Sequence, residues 1–227
     1  MKISNIFLVL YAVLSLVHLW AGQFGQIDIA FYTKPTLMLL LAGWFYLSTK
    51  NNSSSFRNLI VMALLFSLGG DTLLMFATSH GEQFFLMGLG SFLLAHACYL
   101  FAFSKYKKQI RGWLKTKPLM IIPLLVLLIG FVSYLVPDIA NAMQAPVVAY
   151  SLVIMAMVLS VLNLGGKINI SDFQILFAGA LLFMFSDMMI AVNKFKMPIP
   201  YSHIAIMLTY LLGQFFIIKA CRNIVRS

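Results

Sequence analysis

Eight apolar stretches, most of them about 20 residues long, follow one another through the 227 residues with only short polar breaks between them. A helix of that length crosses the roughly 30 Å hydrocarbon core of a bilayer, and only a helix or a closed barrel satisfies its own backbone there. The stretches lie near 3–21, 35–49, 58–78, 84–104, 118–136, 145–164, 173–192 and 203–219. They imply an all-α integral membrane protein of eight transmembrane helices, one multi-pass domain over residues 1–227, with no room left for a soluble domain. Composition agrees: 62% hydrophobic and 10% charged, against about 45–50% and about 25% in soluble chains. The breaks carry ordinary helix punctuation. Pro35 opens the second stretch, Lys50-Asn51-Asn52-Ser53-Ser54-Ser55 closes it, Pro118 and Pro137 bracket the fifth, and Gly165-Gly166 ends the sixth.

The basic excess, 16 Lys and Arg against 6 Asp and Glu, would suggest nucleic acid in a soluble chain. Here it sorts by side. With Met1 inside, the inner segments hold Lys2, Lys50, Arg57, Lys105, Lys107, Lys108, Arg111, Lys115, Lys117, Lys167, Lys219, Arg222 and Arg226, and the outer loops only Lys34, Lys194 and Lys196. The positive-inside rule then gives N-in and C-in. No nucleic acid and no obligate protein partner is expected; the bilayer is the partner, and in a bacterium it is the inner membrane. The first stretch outlasts the usual signal-peptide core and lacks an A-x-A site, so it reads as an uncleaved helix. Cys98 falls mid-span and Cys221 at an inner end, which suits packing rather than a disulfide.

Asp71 and Asp187 interrupt otherwise apolar spans. An acid in hydrocarbon costs on the order of 3 kcal/mol even on the lenient scale, so it faces a partner or a watery cavity. Asp28, Glu82 and Asp138 read as outer-loop residues, and Asp172, with Ser171, as a helix cap. The two intramembrane acids sit at similar depth on the third and seventh helices. Ala63-Leu64-Leu65-Phe66 before one resembles Ala180-Leu181-Leu182-Phe183 before the other, so the two four-helix halves read as a parallel duplication. Lys34 at the outer mouth, His96 and Tyr99 on one face of the fourth helix with Gly88, Phe92 and Ala95, and Tyr210 with Gln214 on the eighth converge on the same layer. Glycines at 69, 70, 88 and 90 permit close helix approach. A polar pocket toward the outer leaflet is therefore expected. His18 reads as interfacial or packing, and His80 and His203 as solvated. There is no HExxH, G-x-S-x-G or Walker loop, and one imidazole is thin for zinc, so no metal and no cofactor is expected. These residues suit three functions: a hydrolase working through two carboxylates, a proton-coupled carrier using the same pair, or a lipid-binding protein without turnover.

The stretches Lys34-Pro35-Thr36, Ser67-Leu68-Gly69-Gly70-Asp71-Thr72, Gly88 with Phe92 and Ala95-His96-Ala97-Cys98-Tyr99, Gly179-Ala180-Leu181-Leu182-Phe183 leading to Ser186-Asp187, and Thr209-Tyr210-Leu211-Leu212-Gly213-Gln214 resemble the YhhN family of eight-span membrane proteins. Its animal members are called transmembrane protein 86, or lysoplasmalogenase. The resemblance runs from the second helix to the last. It implies hydrolysis of the vinyl ether bond of a lysophospholipid, 1-alkenyl-glycerophosphoethanolamine or -choline, to a fatty aldehyde and the glycerophospho-headgroup. It maps the family's aspartates onto Asp71 and Asp187, and its other polar positions onto Lys34, His96, Tyr99, Tyr210 and Gln214. Water and a proton are the only co-reactants this chemistry needs, and two carboxylates in a low-dielectric pocket can divide the acid and base roles.

Overall fold

Every regular element among the described residues is helical. The structure, a computed structural model, describes residues 3–106 and 110–227, without the side chains of residues 3, 4 and 78–80. Lys2, Lys107, Lys108 and the His80 side chain, which entered the readings above, lie outside the described residues.

The long helices are α1 (Ile3–Gln23), α2 (Ile27–Thr49), α3 (Ser55–His80), α4 (Glu82–Ser104), α6 (Ile122–Leu135), α7 (Asn141–Leu162), α8 (Ile170–Phe195) and α9 (Ser202–Arg226), with a short α5 (Trp113–Thr116) before α6. Turns of 3-10 helix, Pro118–Ile121 and Val136–Asp138, extend α6 at both ends. Seven of these segments are long and apolar enough to cross a membrane; α2 is the long helix that does not reach the same hydropathy. The chain is thus an all-α, multi-pass integral membrane protein.

Helix α2 begins at Ile27, ahead of the proline where the apolar stretch starts, and carries Pro35 inside it. A proline deletes one backbone donor and disfavours the helical conformation before it, yet such prolines are tolerated in membrane helices when nearby groups re-engage the backbone. Thr33 and Thr36 flank it, and their hydroxyls donate to the Ile29 and Tyr32 carbonyls at 2.7 Å. Asp28 and Glu82, expected in loops, fall in the first turns of α2 and α4, where the positive end of the helix dipole favours an acid. The cap of α8 is Asn169, whose side chain accepts from the Ser171 amide at 3.1 Å; Asp172 follows it in the first turn.

The helices form two compact units, Met1–Ala102 with Cys221–Ser227, and Phe103–Ala220. In the first, α3 and α4 meet through glycines. A Cβ on Gly70 would lie 2.5 Å from the Phe92 ring and one on Gly88 2.8 Å from Leu74, while Ser91 donates to the Phe66 carbonyl at 2.7 Å. In the second, α8 and α9 cross at Gly179 and Gly213, where a Cβ on either would meet backbone atoms of the other helix within 3.0 Å. Ser186 donates across the same pair to the Ile206 carbonyl at 3.1 Å. The second unit also pins part of the basic loop. Trp113 packs against Phe173 with ring centroids 4.6 Å apart and occupies the space a Cβ of Gly165 would need.

Candidate functional site

Asp71 lies on α3, about 24 Å of helix rise from Ser55, and Asp187 on α8, about 26 Å from Ile170. Both carboxylates are buried, 1% and 9% exposed. A buried acid is tolerated when charge or hydrogen bonds compensate it, and each of these has a partner from a neighbouring helix of its own unit.

In the first unit that partner is Lys34. Its Nζ stands 3.2 Å from Asp71 Oδ1, with the lysine side chain 16% exposed. The sequence placed this lysine at the outer mouth; α2 directs it at the acid. Extension of α2 past Pro35 makes this geometry, because Lys34 then sits on a continuous helix beside α3. Around the pair the unit buries Ser67 one turn below Asp71, Tyr99 and His96 on α4, and Tyr11 on α1. Tyr11 is within electrostatic reach of both Asp71 and Tyr99. His18, on the same face of α1 as Tyr11, is buried rather than interfacial, and its Nδ1 lies 2.8 Å from Thr33 Oγ1. Since the Thr33 hydroxyl gives its proton to the Ile29 carbonyl, His18 Nδ1–H is the donor.

In the second unit the partner is Tyr150 on α7, whose phenol donates to Asp187 Oδ2 at 2.5 Å. Tyr150 is itself buried. Tyr210 and Gln214, on one face of α9, are buried, and Tyr210 meets the Phe183 ring edge-on at 5.4 Å. Thus Lys34, Asp71, His96 and Tyr99 belong to the first unit, and Asp187, Tyr210 and Gln214 to the second. Sequence reasoning missed Tyr11 and Tyr150. Both are tyrosines on apolar helices, where an aromatic side chain carries no mark of a polar role. His203, expected to be solvated, is half-buried. Among the described residues no three His, Cys, Asp or Glu side chains gather as metal ligands.

The two clusters differ in kind. Asp71 faces a full positive charge, and Asp187 a neutral donor. An ion pair stabilises a carboxylate's charge directly, and a phenol hydrogen bond strengthens as charge builds on the oxygen it holds.

Comparison with known proteins places these residues in context. The sequence pattern of the YhhN family matches residues 29–221. The human protein named lysoplasmalogenase TMEM86B is 29% identical over 199 residues, 88% of this chain and 78% of its own length. Bovine lysoplasmalogenase TMEM86A is 31% identical over 80% of this chain and 70% of its own, and porcine TMEM86B 34% over 68% and 59%. No solved structure matches.

Proposed function

The chain belongs to the YhhN family, and from that premise we propose that it is a lysoplasmalogenase-like hydrolase, cleaving the vinyl ether bond of 1-alkenyl-glycerophosphoethanolamine or -choline. The observation that carries the reading is the pair of buried carboxylates with unlike partners, Lys34 at Asp71 and Tyr150 at Asp187. In this reading Asp187 is the general acid and Asp71 the base. Asp187 gives its proton to the vinyl carbon distal to the ether oxygen, and the positive charge develops on the adjoining carbon and that oxygen. Water attacks the cationic carbon and loses a proton to Asp71. The hemiacetal then collapses to aldehyde as its hydroxyl returns a proton to Asp187 and the glycerol oxygen leaves with the proton held by Asp71, so that one water is consumed and both acids are reset. As negative charge builds on Asp187, the Tyr150 hydrogen bond strengthens, which lowers the barrier to proton transfer. Lys34 holds Asp71 as a carboxylate until water gives up its proton, and His96, Tyr99, Tyr210 and Gln214 fix the two acids and the headgroup.

The same reading takes the protein as eight spans, N-in and C-in, with α2 crossing the membrane and the two halves related by duplication. Supporting the duplication, each acid-bearing helix, α3 and α8, is 26 residues long and is followed by a helix packed on it through glycine.

The test is purified protein in detergent with 1-alkenyl lysophosphatidylethanolamine, following aldehyde release, beside Asp71→Asn and Asp187→Asn. Wild-type turnover lost in both variants supports the acid pair. Turnover surviving both substitutions would overturn the mechanism, and none in the wild type would turn attention to a carrier or a lipid-binding role.

A further inference from the structure

Arg57 is 7% exposed, and an arginine stays charged in a protein. A buried cation needs a counter-charge, yet among the described residues no carboxylate lies within ion-pair distance of it. Within its own unit Asp71 is taken by Lys34, and Asp28 begins α2 about 30 Å of helix rise from Thr49, the α2 residue that Arg57 touches. Position adds to the problem. Arg57 stands in the first turn of α3, where the helix dipole is already positive.

The guanidinium is nevertheless held in place. Its Nε donates to Thr49 Oγ1 at 3.1 Å, an oxygen whose own proton goes to the Phe45 carbonyl at 2.7 Å. Nη1 reaches Asn58 Oδ1 at 3.4 Å, and the plane lies 4.6 Å from the centroid of the half-exposed Tyr46 ring. No hydrogen bond among the described residues takes up Nη2. The same end of the unit carries Lys50, Arg226 and Arg222, the last stacked over Trp44 at 5.2 Å with a buried Nε that has no hydrogen-bond partner among the described residues. Asn52 ties the α2–α3 loop to this end through the Val225 carbonyl at 3.0 Å. Topology accounts for the sign of these residues but not for the burial and fixing of one of them.

We propose that the α2–α3 end of the first unit is a binding site for the phosphate of an anionic membrane lipid, with Arg57 as its central donor. A guanidinium presents parallel N–H groups to phosphate oxygens, and the half-exposed Tyr46 ring offers an aromatic flank beside it. Four basic residues, with no acidic side chain beside them among the described residues, select a headgroup of net negative charge over a zwitterionic one, whose ammonium they repel.

Thermal unfolding of the detergent-purified protein tests this without any assay of hydrolysis. Phosphatidylglycerol at about 100 times its dissociation constant should raise the midpoint by about 5 °C, and phosphatidylcholine should do so far less. Arg57→Gln should abolish the difference, and Arg57→Lys should keep part of it. Should Arg57→Gln fail to fold, Thr49→Val carries the test: it keeps the charge, frees Nε, and should weaken the response to phosphatidylglycerol several-fold. The same shift in wild type, Arg57→Gln and Thr49→Val, or no preference for phosphatidylglycerol in the wild type, would overturn the site. A full shift with inorganic phosphate alone would place soluble phosphate there and overturn the lipid assignment.

Discussion

At Asp187 one hydrogen bond separates two kinds of acid. If the Tyr150 phenol steadies the charge left on Asp187 after proton transfer, Tyr150→Phe should lower kcat by about 10- to 100-fold, the value of a hydrogen bond to a charged group, with KM nearly unchanged and stability lower by about 1–3 kcal/mol. A parallel rise in KM would assign Tyr150 to substrate binding instead. At Asp71 the expectation is of a different type. Lys34→Met strands a buried carboxylate and should cost about 3–5 kcal/mol in stability, while Lys34→Met with Asp71→Asn should recover most of that loss and remain inactive. A Lys34→Met variant as stable as wild type would show that the pair contributes nothing to the fold. The aspartates were legible in the sequence because an acid in an apolar run is expensive and therefore conspicuous. Tyr150 was not, since a tyrosine is at home in such a run. Nor was the direction of Lys34, which depends on how far a helix continues past a proline.

Helix α2 shows why elements were easier to find than to bound. Its apolar run starts at Pro35, and hydropathy sees only that. The helix starts at Ile27 because hydrogen bonding sets its limits, and the hydroxyls of Thr33 and Thr36, on either side of the proline, engage the Ile29 and Tyr32 carbonyls ahead of it. Asn169 capped α8 where Asp172 was expected to, because the cap falls just before the first helical residue, several positions ahead of the apolar run. Glycines invert the problem: the sequence contains 14, and nothing local marks those that matter. Gly179 and Gly213 do, since a methyl on either meets backbone of the opposite helix, which cannot rotate aside. Gly179→Ala should therefore force α8 and α9 apart, at a cost of about 1–3 kcal/mol or more, and reduce the folded fraction in size-exclusion chromatography. Gly130→Ala on α6 has no heavy atom within 4 Å and should elute as wild type does.

For the whole molecule, the open matter of architecture is concentrated in α2, the long helix whose residues are too polar to count as a span by hydropathy. Much of that polarity is Lys34, and Lys34 faces Asp71. A lysine whose charge is matched inside the protein weighs less against insertion than its transfer scale implies, so hydropathy understates α2, and this is the ground for the proposal that it crosses. The consequence is a matter of sides. If α2 spans, the turn at Gln26 and the loop at Asn52 face opposite compartments, with Lys50 inside. If it does not, both lie on the same side and every later loop changes parity relative to α1. Single cysteines at Gln26, Asn52, Lys115 and Lys196, in a chain whose Cys98 and Cys221 are replaced by serine, distinguish the two by labelling with a membrane-impermeant maleimide on intact and opened cells. Labelling in intact cells is expected at positions 26 and 196, and at 52 and 115 only after opening. Equal reactivity of positions 26 and 52 in intact cells would place α2 on one side, and would remove Lys34 and its partner Asp71 from the depth at which the proposed chemistry requires them.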